Sequence, residues 1–249
     1  MIEKLTAAQM LWIGGAIFGA YVVRGMSGFG AGLIAAPLLA LVLPVHVVVP
    51  LCGLLVFVLF IFLTIRDRRS VIWRELKLLL PPTLAGVLAG MLIFRSLDNT
   101  LLVVMLGSFL VLYATYMIAV TAFGLPEFKC SERWAIPLGF LGAFFDTLFG
   151  GGGGTLVVIY MHARGLGRME FRATIAMLWF FEMIARIGGY GLAGYYTREV
   201  LVFAAVLLPV TWAGTWVGEH LGNRVSPAAF QRILAAVLML SGVSLLFKS

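Results

Sequence analysis

Apolar residues run along this chain in long blocks parted by short polar breaks. The blocks fall at 8–24, 29–43, 46–65, 78–95, 101–123, 135–148, 154–161, 174–195, 200–219 and 227–247. Residues 78–94, 101–123 and 200–218 carry no charge, and no Lys, Arg, Asp or Glu occurs from Gly25 to Ile65. A helix needs about 20 apolar residues to cross a bilayer. The pattern therefore predicts an all-α bundle of membrane helices, and the 25–65 stretch is long enough for two passes. The longest polar connectors are 66–77, 124–134 and 162–172.

Two glycine-rich breaks interrupt the blocks, at Gly28-Phe29-Gly30-Ala31-Gly32 and at Gly150-Gly151-Gly152-Gly153-Gly154. In lipid every backbone N–H and C=O must find a partner, so a broken helix at membrane depth survives only buried in protein or lining a cavity. Consecutive glycines destabilise a helix by roughly 1 kcal/mol each relative to alanine, which argues against packing as their sole purpose. Breaks at corresponding positions of two halves point to a transporter binding site.

The halves look related. Gly28, Gly30 and Gly32 stand 122 positions before Gly150, Gly152 and Gly154. Pro81-x4-Gly86-x3-Gly90 recurs 128 positions later as Pro209-x4-Gly214-x3-Gly218, and Gly-x3-Gly lets helix backbones approach closely in a membrane. We read a first membrane repeat at 1–123, a cytoplasmic linker at 124–134 and a second repeat at 135–249. Each repeat has a glycine-broken hairpin followed by three spanning helices. That makes eight or ten membrane segments, depending on whether the hairpins are scored as crossing.

Five segments per half is an odd number, so the second repeat enters inverted. With loop 66–77 in the cytoplasm, the inside loops hold eleven cations: Arg66, Arg68, Arg69, Arg74, Lys77, Lys129, Arg133, Arg164, Arg168, Arg172 and Arg224. The outside holds four: Lys4, Arg95, Arg198 and Lys248. This asymmetry follows the positive-inside rule and leaves both termini outside a cytoplasmic (inner) membrane.

Composition narrows the function. The chain is 62% hydrophobic and 12% charged, with a mean hydropathy of +1.06; a soluble domain carries about twice that charge. The net charge of +7 sits mainly in loops that would lie beside anionic lipid. No basic helix or motif suggests nucleic acid as a partner. Cys52 and Cys130 form neither a disulfide framework nor a metal site, and no cofactor is implied. Three His with no ligand spacing and no nucleophile motif argue against an enzyme. The partners expected are a small anion and the bilayer, with a homo-oligomer left open.

A helix N-terminus presents free N–H groups and partial positive charge, and glycines let a backbone come close to an anion. The candidate anion contacts are therefore Ser27, Gly28, Gly30 and Gly32 at one tip and Gly150, Gly151, Gly152, Gly153, Gly154 and Thr155 at the other. The two tips are expected to meet near the midplane. Arg24 and Asp146 each stand four residues before a glycine run. An intramembrane charge is a functional candidate by default: Arg24 as an anion ligand, Asp146 as a proton carrier, or the two as a structural ion pair. Glu182 and Arg186 are spaced i,i+4 and can pair on one helix face. They are also coupling candidates.

The residues Gly25-Met26-Ser27-Gly28-Phe29-Gly30-Ala31-Gly32-Leu33 with Pro37-Leu38-Leu39 resemble the TauE/SafE family of sulfite-exporter-like membrane proteins. A second copy runs from Gly139-Phe140-Leu141-Gly142 through Phe149 to Gly150–Gly154 with Thr155-Leu156. The copies depart at Pro37, which has Ile159 as its counterpart. The resemblance covers essentially the whole chain and implies a transporter of small anions, with sulfite and organosulfonates as the class. The expected activity is secondary transport by alternating access, coupled to protons through Asp146 or Glu182. An anion channel and a carboxylate transporter are the alternatives.

Overall fold

The computed structural model describes residues 5–27, 30–123, 131–221 and 227–248. Among the described residues the ten apolar blocks become ten α-helices: α1 (Ala7–Ser27), α2 (Ala31–Ala40), α3 (Val45–Asp67), α4 (Trp73–Ser96), α5 (Asn99–Phe123), α6 (Ala135–Phe149), α7 (Gly154–Ala163), α8 (Arg168–Leu192), α9 (Arg198–Leu221) and α10 (Pro227–Lys248). Among the described residues there is no strand. Five of the helices hold stretches long and apolar enough to cross a membrane: Ala7–Met26, Trp73–Ser96, Asn99–Ala119, Met169–Leu192 and Arg198–Leu221. Their outward side chains are apolar, as at Leu88 on α4 (67% exposed) and Leu112 on α5 (71%). Such surfaces belong against lipid. The protein is an all-α polytopic membrane protein.

Two helices start earlier than hydropathy suggests. α4 begins at Trp73 and α8 at Arg168, so charged residues of both expected loops lie in first helical turns. Hydropathy marks the part of a helix immersed in hydrocarbon, whereas the helix itself runs on into the headgroup layer. Acids stabilise those first turns. Glu170 Oε2, for example, accepts the Gly167 N–H at 3.1 Å.

Both glycine runs break a helix. Gly30, at φ 90°, precedes α2, while Gly150 (φ 78°) ends α6 and Gly152 (φ 101°) turns the chain toward α7. These left-handed conformations are readily open to glycine and costly for other residues. Gly28 and Phe29 lie outside the described residues, as do 124–130 of the expected linker.

The chain forms two compact units, and each draws on both halves of the sequence. The first comprises Met1–Cys52, Leu97–Leu125 and Tyr196–Ser249. In it α1 lies along α9, α5 along α10, and α2 packs on α1 and α10. A Cβ on Gly214 would fall 2.7 Å from the Phe18 carbonyl oxygen, and one on Gly218 only 2.8 Å from Gly25 Cα. Gly107 of α5 and Gly242 of α10 meet in the same way, each placing a Cβ about 3 Å from the other's carbonyl oxygen.

The second unit comprises Gly53–Ser96 and Pro126–Tyr195. Here α4 lies along α6, α8 packs on α4, and α7 packs on α6 and α8. Leu76, Leu79, Tyr160, Met161, Leu178 and Trp179 belong to its core. A Cβ on Gly86 would overlap the Phe140 carbonyl, and one on Gly90 would lie 2.9 Å from that of Phe144. The Pro-x4-Gly-x3-Gly helix thus has the same task in each unit. It lets the helix that precedes a glycine break approach backbone to backbone.

Overpacking a tight helix contact costs about 1–3 kcal/mol. Gly86→Ala and Gly218→Ala should each lower the apparent melting temperature in detergent by several degrees. Gly14→Ala, which meets nothing within 4 Å, should leave it within error. Equal behaviour of all three variants would contradict the packing described.

Candidate functional site

The second break is held together by one residue. Asp146 sits in the last turn of α6, and its backbone carbonyl accepts the Gly150 N–H at 2.9 Å. Its side chain reaches across the turn, where Oδ1 accepts the Gly153 N–H at 2.9 Å and the Gly154 amide also donates to the carboxylate. One aspartate therefore ends α6 and caps the start of α7. The turn is tight enough that a Cβ on Gly153 would overlap the Gly142 carbonyl, while one on Gly154 would lie 2.9 Å from the Trp179 ring.

α8 supplies the facing side. Trp179, Glu182, Arg186 and Tyr190 recur at i, i+3, i+7 and i+11, which places them on one face of a 3.6-residue helix. Glu182 and Arg186 are each only 1% exposed. The i,i+4 pairing expected from their spacing is formed, with Arg186 Nη1 3.5 Å from Glu182 Oε1. Asp146 interacts electrostatically with both. The Tyr190 hydroxyl donates to the Thr147 carbonyl on α6 at 2.5 Å, fixing this face against the end of α6. Nε and Nη2 of Arg186 and Nε1 of Trp179 are buried and make no hydrogen bond among the described residues. A buried charge that loses its partner costs about 3–5 kcal/mol, so the three charges depend on one another.

The far end of α7 is tied down by a second polar network, at the start of α4. Glu75, buried at 4% exposure, accepts from the Tyr160 hydroxyl at 2.8 Å. It also accepts from Arg164 Nε at 2.9 Å and Nη2 at 2.7 Å. Arg164 Nη2 reaches Glu132 Oε1 at 3.0 Å as well, and Arg74 pairs with the same oxygen at 2.5 Å.

The sequence candidates separate between the units. Gly150–Gly154, Thr155, Asp146, Glu182 and Arg186 belong to the second unit; Arg24, Ser27, Gly30 and Gly32 belong to the first. Arg24 is buried, with its guanidinium 6.0 Å from the centre of the Tyr21 ring. It interacts electrostatically with Tyr21 and with Glu219 on α9. Ser27 is the last residue of α1, and its side chain, like Gly28, is outside the described residues. Gly32 is buried within α2. An apolar cavity of about 290 Å³ lies between α1, α2 and α10, lined by Gly15, Gly19, Val23, Met26, Ile34 and Leu234 among others. No charged side chain lines it, so it does not suit a small anion.

Sequence reasoning passed over Trp179 and Glu75. The signal for Trp179 was its i−3 and i−7 spacing from Glu182 and Arg186. Glu75 lies in the polar connector 66–77 of the sequence reading, and nothing in its neighbourhood announces burial.

Comparison with known proteins places this geometry in context. The family model described as "Sulfite exporter TauE/SafE" matches residues 13–245. A curated protein of Comamonas testosteroni, "Probable inner membrane transporter protein TsaS", is 27% identical over 180 residues, covering 71% of this chain and 73% of that protein. No solved structure matches.

Removing the cap should be separable from removing the charge. Asp146→Ala leaves the Gly153 amide without its acceptor, which costs about 1–3 kcal/mol. Asp146→Asn keeps an oxygen there, so it should resist unfolding in a mild-detergent-to-SDS titration better than Asp146→Ala. Identical curves for the two variants would remove the capping role.

Proposed function

The chain belongs to the Sulfite exporter TauE/SafE family, and from that premise we propose that it is a secondary transporter of a small anion in the cytoplasmic (inner) membrane. The observation that carries this reading is a membrane helix broken by glycine beside a buried Asp–Glu–Arg cluster. Irregular backbone and ionised groups inside a bilayer are both expensive, and transport sites are where chains keep them. Sulfite and organosulfonates are the substrate class, in line with the family's description. The inner-membrane transporter name of the Comamonas testosteroni relative agrees.

The mechanism is alternating access. The chain divides into two inverted repeats, as supported by the matched glycine breaks and by the common task of the two Pro-x4-Gly-x3-Gly helices. The glycine tips and Thr155 bind the anion, with the Thr155 hydroxyl and with N–H groups other than those of Gly150, Gly153 and Gly154, which Asp146 already accepts, and Arg24 and Ser27 serve the first tip. Asp146 and Glu182, coupled to Arg186, exchange the proton whose gradient supplies the energy. Both termini face the outside, as the distribution of Lys and Arg supports.

Purified protein in liposomes should take up labelled sulfite faster when an inward proton gradient is imposed. Gly30→Leu and Gly152→Leu force a bulky residue into left-handed backbone at the two tips. They should reduce flux at least tenfold while inserting normally. Full flux in both variants would rule out the glycine tips as the site. Flux that saturates poorly and ignores the proton gradient would favour an anion channel.

A further inference from the structure

We infer that Arg186 and Trp179 form the seat for the transported anion, at the N-terminal end of α7, and that the seat selects an oxyanion with at least two oxygens on one centre. The inference rests on the transport reading above and adds to it the residues that grip the substrate.

Most of the polar groups around the break are already engaged. Three charged side chains crowd this part of the second unit, yet the two carboxylates each have a task. Asp146 Oδ1 holds the Gly153 amide at 2.9 Å, Glu182 Oε1 faces Arg186 Nη1 at 3.5 Å, and the Tyr190 hydroxyl is a further partner of the guanidinium. That leaves the side edge of the guanidinium, formed by Nε and Nη2. Both atoms are buried in a residue 1% exposed, and neither makes a hydrogen bond. The Nε/Nη2 edge is the fork that matches two oxygens of a carboxylate, sulfonate or phosphate. The same edge of Arg164 grips a carboxylate elsewhere in this protein, Nε and Nη2 both donating to Glu75 Oε1.

A third donor lies on the same face of α8. Trp179 is 8% exposed, and its Nε1 makes no hydrogen bond among the described residues. Its Cζ2 and Cε2 lie 2.9 and 3.2 Å from where a Gly154 Cβ would be, with Asp146 Oδ2 at 3.1 Å, so this side of the indole is set against the first residue of α7 beside its capping carboxylate. Trp179 and Arg186 share one face of α8, two turns apart. Buried donors of this kind are rarely left unmade. The amides at the start of α7 are already engaged by Asp146 and by the turn, so the fork and the indole N–H are the donors on offer, and an oxyanion can present a separate oxygen to each. Gly154 completes the logic, because any larger residue would push into the indole.

The test is read on the unmodified protein first. Detergent-solubilised protein with ¹⁵N-labelled indoles is titrated with methanesulfonate, with sulfite and with chloride. The signal that Trp179→Phe deletes should shift with either oxyanion and stay in place with chloride. In calorimetric titrations Trp179→Phe should weaken methanesulfonate binding about tenfold, as for one lost hydrogen bond to a charge. Arg186→Lys, which keeps the charge but loses the fork, should weaken it by about a hundredfold, while Trp73→Phe, at an exposed site, should leave it unchanged. Oxyanion binding with an unmoved Trp179 signal and an unchanged Trp179→Phe affinity would overturn the seat and leave the transport reading standing. Failure of the unmodified protein to bind or carry any oxyanion would overturn both.

Discussion

A helix that stops inside a bilayer leaves backbone donors and acceptors with no water to receive them, and the rest of this site follows from how that demand is met. Asp146 accepts the Gly150 amide with its main chain and the Gly153 amide with its side chain. Serving the break in this way places a carboxylate in the apolar interior, and a buried carboxylate needs a counter-charge. Arg186 supplies it, and Glu182 in turn faces Arg186. The charged cluster is thus a consequence of the glycine break as well as its neighbour.

The short arms of the hairpins need support at both ends. α7 has ten residues, about 15 Å of helix, or half of a roughly 30 Å hydrocarbon core. A helix of that length has little stability of its own. Asp146 holds its start, and the bonds from Tyr160 and Arg164 to Glu75 hold its end. α2 is equally short. At its end the Lys248 ammonium donates to the carbonyls of Ala40 and Leu41, at 2.9 and 2.8 Å. A cation there satisfies orphan carbonyls and opposes the negative end of the helix.

Close backbone packing provides the frame. Between membrane helices there is little hydrophobic driving force, so association depends on van der Waals contact and small residues. Gly86 and Gly90 bring α4 against α6, while Gly214 and Gly218 bring α9 against α1. In each unit the helix leading into a glycine break is clasped by a helix from the other half of the sequence. The break is thereby built onto a rigid neighbour.

Hydropathy by itself determined the ten helices, because the cost of exposing polar backbone to lipid leaves few other solutions for long apolar blocks. The glycine runs, three alternating glycines at 28–32 and five consecutive ones at 150–154, located both breaks, and charges in apolar stretches singled out Asp146, Glu182 and Arg186. What none of these could determine was partnership. The pairing of α4 with α6 and of α9 with α1 depends on which glycine surfaces fit which backbones, and that fit has no signature in a one-dimensional apolar pattern. The burial of Glu75 was invisible for the same reason: its partners lie 85 and 89 positions away. Trp179 looked like one more apolar residue on a spanning helix. Only the tertiary structure set its indole against Gly154 and brought Arg186 within electrostatic reach of the carboxylate that caps the break, because such partnerships depend on which groups are near in space.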